Sequence, residues 1–226
     1  MDQEAFWLTL RLAGATTAIL MVIAIPVGWW LSSGRSVGRS LAQALVMLPL
    51  VLPPTVIGFY LLIFLGPLTA PGRLLIRLVG HPLAFTFSGL LLGSLIYSLP
   101  FAVQPMVSGF RAVERGYVEA AAMLGLSPWR TFTTIVLPLS RGALAAAAVL
   151  TFTHTVGEFG VVLMLGGNIP GATRTLSIEI YNKVQEFNYA AANRTAGALL
   201  LFAFLMLTVI YLLPRLRQGN DGGPLG

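Results

Sequence analysis

His154 and Glu158 come nearest to a chemical site in this chain by residue type and spacing. One helical turn apart, an imidazole and a carboxylate lie on the same face of a helix, where they could share a proton or bind a cation. The order is His-x-x-x-Glu, however, and not the His-Glu-x-x-His of zinc proteases. Two ligands are too few for a metal ion, and the chain has no cysteine to add. The pair therefore predicts neither a metal site nor catalytic residues.

The helices that must position this pair have the composition of a membrane protein. Hydrophobic residues make up 56% of the 226 positions, charged residues make up 10%, and the mean hydropathy is +0.83. Uncharged runs cover 12–34, 40–72, 78–110 and 195–214, and each reaches the roughly 20 residues that a helix needs to cross a bilayer core. A further candidate, 142 to 165, is interrupted only by His154 and Glu158. We therefore predict an all-α, polytopic membrane bundle with no nucleic-acid partner, despite the net charge of +6.

Transmembrane helices are predicted at about 6–31, 41–65, 84–111, 134–165 and 194–213, within a membrane domain over 1–217. These five spans place the termini on opposite sides. With the N-terminus outside, eight basic residues face the cytoplasm and five face the exterior, as the positive-inside rule favours. Leu176–Phe187 has the apolar spacing of a short amphipathic helix on the external surface. The favoured interpretation is a solvated connector that packs on the helix ends. The glycine-rich tail 218–226 is predicted to be disordered.

Prolines and polar residues inside the spans suggest a route through the bundle. Interior proline removes a backbone hydrogen bond, which membrane helices tolerate where a neighbouring helix or a water-filled cavity compensates. Ordinary enrichment of proline in membrane helices is the alternative. For His154 with Glu158 we favour a hydrogen-bonded structural or gating pair over pathway lining, and for most hydroxyl residues we favour helix packing. The candidates for a gate or pathway are Thr151, His154, Glu158, Pro53, Pro54 and Pro100.

A polar segment over 111–140 interrupts the hydrophobic sequence. Residues 116–124 are strong helix formers, and Gly125 follows as a residue that adopts left-handed dihedrals without cost. Ser127 and Pro128 then suit the N-cap and the first position of a second helix. The segment therefore predicts a helix, a sharp corner and another helix. A helix rich in alanine and glutamate anchors poorly in lipid, so the first helix is not expected to rest on the membrane surface. We expect it to contact a partner protein, with Glu119 exposed to that partner.

This segment resembles the EAA loop of bacterial ABC importer permeases, in Glu119-Ala120-Ala121, then Gly125, then Ile135-x-Leu137-Pro138. The resemblance implies a type I (MetI-like) permease fold whose cytoplasmic coupling loop, 111–141, docks on an ATP-hydrolysing subunit. It also implies a homodimer, two cytoplasmic ATPase subunits, an external (periplasmic) oxyanion-binding protein, and a bacterial inner membrane location with the N-terminus outside and the C-terminus cytoplasmic. The coupling residues that it implies are Glu119, Ala120, Ala121, Gly125, Leu126 and Pro128.

Three further stretches, 48–62, 154–160 and 167–175, are similar to the molybdate permease branch. They imply molybdate as the cargo, with tungstate sharing the route, and sulfate or thiosulfate permeases are the alternative. The chain has no G-x-x-x-x-G-K-[ST] motif, and its one lysine, Lys183, lies in no glycine-rich context. We therefore expect ATP and magnesium to be bound by a partner, and no cofactor or enzymatic activity on this chain.

Two rival functions belong to other classes. An intramembrane enzyme using His154 and Glu158 would require a third polar group converging on them. A passive channel or secondary transporter would leave the EAA loop and its glycine corner unexplained.

Overall fold

The computed structural model describes residues 2–34 and 36–220. Within these residues every regular element is helical, which confirms the predicted class. Of the tail predicted over 218–226, residues 221–226 lie outside the described part. The helices are α1 (Gln3–Ser32), α2 (Val37–Val51), α3 (Pro54–Leu65), α4 (Ala70–Val79), α5 (Phe87–Ala112), α6 (Arg115–Met123), α7 (Pro128–Thr131), a π-helical turn (Phe132–Val136), α8 (Leu137–Leu139), α9 (Arg141–Gly157), α10 (Gly160–Gly166), α11 (Leu176–Gln185) and α12 (Tyr189–Asn220).

In the described chain, α1, α5 and α12 are each long and apolar enough to cross a membrane. Two bent pairs raise the number of candidate spans to 5, which agrees with the predicted number. The pair α2–α3 bends by 110°, and Pro128–Leu139 meets α9 at 71°. The continuous helices predicted over 41–65 and 134–165 are therefore wrong, because each of these spans is broken.

Two of the breaks lie at prolines, where the sequence cannot continue a regular helix. A residue before proline is pushed towards extended dihedrals, and Leu52, before Pro53, has φ −79° and ψ 140°. Pro138 has no N–H to donate, and the turn before it widens into a π-helix in which the Leu137 N–H donates to the Phe132 carbonyl. The fourth span breaks again at Glu158, whose ψ of 132° ends α9.

The core of the bundle is built by α1, α5 and α9. Leu20 of α1, Met106 and Phe110 of α5, and Ala147 of α9 are buried in one cluster. Gly28 lets α1 approach α5 closely, since a Cβ there would lie 3.0 Å from the Cβ of Met106. In a bilayer such packing, together with interhelical hydrogen bonds, is what holds helices to one another.

Short helices occupy both ends of this bundle. At the loop end, where α1 and α5 finish, lie α6, α7 and the π-helical turn; at the N-terminal end, where α1 begins, lie α4 and α11. The predicted segment Leu176–Phe187 forms α11 over Leu176–Gln185, and it packs on the helix ends as expected: Glu179 is buried and its Oε1 accepts from the Asp2 N–H at 3.1 Å. The Leu176 N–H also donates to Thr9 Oγ1 at 3.0 Å. The sequence analysis did not predict α4.

Candidate functional site

A sharp corner separates α6 from α7 at the loop end. Gly125 has a φ of +76°, in the left-handed region that the sequence predicts. Its N–H donates to the Ala122 carbonyl, and the Leu126 N–H donates to the Ala121 carbonyl, both at 3.0 Å. These are the two hydrogen bonds of a Schellman motif, which ends a helix by satisfying its last carbonyls. The predicted turn is confirmed in its dihedrals and in its hydrogen bonds.

The second helix begins directly after the corner. The Ser127 hydroxyl accepts from the Arg130 N–H at 3.3 Å, and Pro128 occupies the first helical turn. Proline costs nothing there, because the first N–H groups of a helix have no intrahelical partner. The predicted cap is confirmed, and the direction of α6 relative to α7 is fixed from both sides of the corner.

The exposed face of α6 carries apolar and acidic groups side by side. Met123 and Leu124, at its end, are 87% and 79% exposed. Glu119 and Ala120 are also exposed, and among the described residues Glu119 makes no ion pair. Ala121 differs, because it is buried against the bundle and therefore supports the corner. An exposed apolar surface outside the membrane spans is typical of a protein–protein contact.

Aromatic rings anchor the corner to two membrane helices. Phe132 is buried, stacks on Trp29 of α1 with 4.4 Å between ring centroids, and meets Phe110 of α5 edge-on at 5.5 Å. Nearby, Arg111 Nη2 donates to the Leu31 carbonyl at 3.0 Å. Close-packed aromatic rings leave little free volume between them, so the displacement of one ring moves its neighbours. A movement of α6 and α7 would therefore displace the ends of α1 and α5.

A second polar group lies inside the bundle, between α5 and the end of α9. Ser94 Oγ donates to Glu158 Oε2 at 2.8 Å, and Ser98 Oγ lies 3.0 Å from both His154 Nδ1 and Thr155 Oγ1. The prediction that Glu158 shares a helical face with His154 is wrong, because α9 ends one residue before Glu158. Each side chain is instead held by a serine of α5. These serines and Thr155 join helices, as the packing interpretation predicts.

A cleft of about 570 Å³ opens beside this polar group. Of the predicted pathway residues, His154, Glu158 and Pro54 line it. Thr151 and Pro100 are buried away from its lining, and Pro53 lies exposed at the break before α3. The structure therefore brings together three of the six candidates.

The sequence analysis missed the aromatic side chains around His154. The His154 ring stacks on Phe101 with 3.8 Å between centroids and lies 5.0 Å from the Tyr97 ring, and Tyr97 also lines the cleft. Tyr97 and Phe101 are spaced by one helical turn beside Ser94 and Ser98, which have the same spacing. An aromatic pair and a serine pair with this spacing on one helix are the sequence pattern that could have indicated these contacts.

Glu158 combines deep burial with incomplete hydrogen bonding. It is 4% exposed, and its Oε1 has no hydrogen-bond partner among the described residues. A buried, unsatisfied carboxylate oxygen is costly, and ionisable residues at membrane depth are usually functional. Over 2–34 and 36–220, no group of three or more His, Cys, Asp or Glu side chains could hold a metal ion. What the described residues show here is a set of polar contacts that joins α5 to the end of α9.

Two half-helices pack closely next to the cleft. A Cβ on Gly160 of α10 would lie 2.5 Å from the Pro54 Cβ of α3, and a Cβ on Gly58 of α3 would lie 2.6 Å from the Met164 Cβ of α10. Both contacts exist only because glycine has no side chain. α3 and α10, each following a break in its span, therefore form one paired unit over the cleft.

Comparison with known proteins gives a consistent result along the whole chain. Residues 24–219 match the family described as binding-protein-dependent transport system inner membrane component. The chain is 48% identical over 218 residues to the molybdenum transport system permease protein ModB of Azotobacter vinelandii, covering 96% of each. It is 33% identical over 229 residues to the protein of the same name from Haemophilus influenzae, covering 97% of this chain and 99% of that one. The sulfate transport system permease protein CysT of Escherichia coli is 32% identical over 203 residues, covering 90% of this chain and 73% of that one.

Solved structures agree on the fold. The chain is similar, with a TM-score of 0.71, to a bacterial ABC transporter involved in the import of the acidic polysaccharide alginate, at 19% identity and covering 96% of this chain and 79% of that one. It is equally similar, with a TM-score of 0.71, to inward-facing MetNI methionine ABC transporter, at 18% identity and covering 93% of each. The architecture is therefore that of a type I ABC importer permease.

Proposed function

We propose a function from one premise: the chain belongs to the family of binding-protein-dependent transport system inner membrane components. It is the membrane-spanning permease subunit of an ATP-driven importer of molybdate, with tungstate sharing the route. The cargo is inferred from the similarity to the molybdenum permease, 48% identical over 96% of this chain. A sulfate permease is a more distant relative, at 32% identity.

The geometry of the corner carries the proposal. A permease without an ATP site needs a rigid surface on which a partner ATPase can push. The helix α6 provides that surface, since Met123 and Leu124 are exposed at its end. Glu119 is exposed as well and makes no ion pair among the described residues, so a cation of the partner can approach it. Gly125 fixes its direction, and Phe132 connects it to α1 and α5.

We assign the docking role to two kinds of residue. Glu119 and Ala120 are exposed and would contact the ATPase, because small alanines let a helix lie flush in a groove. Ala121, Gly125 and Leu126, together with Pro128, would position that contact by holding the corner. When the ATPase subunits close on ATP, the two coupling helices of a homodimer would be drawn together and the pathway would turn outward. Hydrolysis would then reset it inward.

The gate would lie at the broken spans. The paired half-helices α3 and α10 would move as a unit, because they pack directly on each other at Gly160 and Gly58. The hydrogen bond from Ser94 to Glu158 ties this unit to α5. A carboxylate repels a divalent oxyanion, so we assign Glu158 to holding the gate and not to binding cargo. His154, stacked on Phe101, would hold the adjacent turn of α9 in the same way.

The proposal includes the arrangement in the cell. Two copies of the chain would lie in the bacterial inner membrane with their N-termini outside, and two cytoplasmic ATPase subunits would grip the loop end. An external oxyanion-binding protein would deliver cargo at the N-terminal end. The count of eight cytoplasmic against five external basic residues supports this orientation.

Purification of the complete membrane complex tests the proposal. We expect the chain to co-purify with an ATPase subunit, and we expect the ATPase rate in proteoliposomes to rise with the loaded binding protein and molybdate. If sulfate raises the ATPase rate as much as molybdate or more, sulfate and not molybdate is the cargo. Absence of any associated ATPase would refute the permease assignment itself.

A further inference from the structure

The short helix α4, at the N-terminal end, is held in one orientation. Its cap residue Thr69 accepts from the Gly72 N–H at 3.1 Å and donates to the Phe64 carbonyl at 2.8 Å. A side chain at Gly72 would collide with the carbonyl of Gly66, so α4 lies directly against the end of α3. Leu75 packs onto the buried cluster around Leu65. The outer face of α4 is therefore fixed relative to the bundle.

That outer face has an apolar edge and a basic edge. Leu74 and Leu78, one turn apart, are 58% and 74% exposed. Arg73 and Arg77, also one turn apart, are exposed beside them. At 100° per residue, the arginines occupy one side of the outer face and the leucines the other. A helix with these two edges fits the boundary between headgroups and acyl chains.

The charge of this region specifies an anionic partner. The sequence contains no acidic residue between Glu4 and Glu114, and among the described residues neither Arg73 nor Arg77 pairs with a carboxylate. Arg73 Nη1 donates to the Leu68 carbonyl at 2.9 Å, which leaves its remaining N–H groups for a ligand. A planar guanidinium with several donors binds phosphate well.

The helix that leads into α4 also exposes large aromatic side chains. Tyr60 and Phe64 of α3, which leads into α4, are 66% and 51% exposed. Exposed aromatic side chains on a spanning helix are typical of contact with lipid. Leu74 and Leu78 add exposed apolar side chains to those of α3. The long side chain of an arginine next to such apolar residues can extend to lipid headgroups.

We propose that α4 is an interfacial helix that binds anionic phospholipid headgroups through Arg73 and Arg77, with Leu74 and Leu78 inserted among the acyl chains. It anchors the connection between α3 and α5, of which α4 is part, to the bilayer surface. The binding depends on the chain lying in a membrane and is independent of the cargo that it transports.

The absence of cysteine from this chain allows a local test. Leu78→Cys, labelled with an environment-sensitive fluorophore, is placed in the full transporter complex in bilayers of phosphatidylcholine with brominated phosphatidylglycerol or brominated phosphatidylcholine. Phe64→Cys is the control, since Phe64 is an exposed apolar residue of α3, a helix that contains no basic residue. We expect both lipids to quench at position 64 equally, and brominated phosphatidylglycerol to quench more strongly at position 78. The preference would reach up to about thirtyfold, which corresponds to about 1 kcal/mol for each arginine near an anionic surface.

Replacing both exposed arginines, Arg73→Gln with Arg77→Gln, should remove the preference at position 78 and leave quenching at position 64 unchanged. Equal quenching by the two lipids at position 78 in the unsubstituted chain would refute anionic lipid binding. Absence of quenching at position 78, with normal quenching at position 64, would show that protein covers α4, as a second copy could. That result would overturn the proposal as well.

Discussion

Replacing Gly125 with alanine isolates the contribution of the corner to coupling. The φ of +76° at Gly125 lies in a region that costs an L-residue about 1–2 kcal/mol, whereas no atom lies within 4 Å of an added Cβ. The strain is therefore purely in the backbone. It should shift the corner towards alternative conformations by about 5- to 30-fold. Gly125→Val should shift the corner further, because a β-branched residue tolerates positive φ least.

The assay measures molybdate transported per ATP hydrolysed in proteoliposomes that contain the complete complex. We expect Gly125→Ala to lower this ratio several-fold while the amount of chain in the membrane stays normal. Gly142→Ala is the matched control, since its added Cβ also meets nothing within 4 Å but Gly142 lies in α9 without a positive φ. Gly125→Asn should recover part of the coupling, because asparagine tolerates left-handed dihedrals. An unchanged ratio in Gly125→Ala and Gly125→Val would refute the mechanical role of the corner.

Three further substitutions test the docking surface and the gate. Glu119→Arg should lower the amount of ATPase that co-purifies with the chain by tenfold or more, and Glu119→Gln should lower that amount less. If both variants retain the full amount of ATPase, Glu119 is not part of the contact. Glu158→Ala should lower uptake more than Glu158→Gln, because only glutamine can still accept from Ser94, and equal loss in the two variants would argue against the hydrogen bond. Gly160→Ala should block uptake, since the new Cβ would lie 2.5 Å from the Cβ of Pro54 in α3. Gly157→Ala is the control and should transport normally, because no atom lies within 4 Å of its added Cβ. Equal uptake by the two variants would refute the paired gate.

Local chemistry made the corner predictable from sequence. Gly125, Ser127 and Pro128 each have dihedral preferences that act within a few residues, so helix end, turn and cap follow without knowledge of the fold. The five candidate spans, three continuous helices and two bent pairs, were likewise predictable, because they depend on lengths of apolar sequence.

The directions of the broken spans were not predictable. Hydropathy does not distinguish one helix from two helices at 110° over 41–65, or at 71° over 134–165. Proline at Pro53 is compatible with either a kink or a break. Glu158 ends α9 although nothing in its residue type requires it. The helix α4 was missed because its ten residues, two of them arginines, read as a loop between uncharged runs. The close packing of α10 at Gly160 and of α4 at Gly72 is a tertiary contact that the local sequence does not reveal.

Accumulation of molybdate in sealed proteoliposomes tests the central claim most directly. The vesicles would contain this chain and its co-purified ATPase, with ATP supplied on the side of the loop end and the oxyanion-binding protein on the other side. We predict that molybdate accumulates on the ATP side against its gradient, and that the accumulation stops when ATP is omitted or when Gly125→Val is used. Molybdate movement that is independent of ATP and unaffected by Gly125→Val would contradict the account.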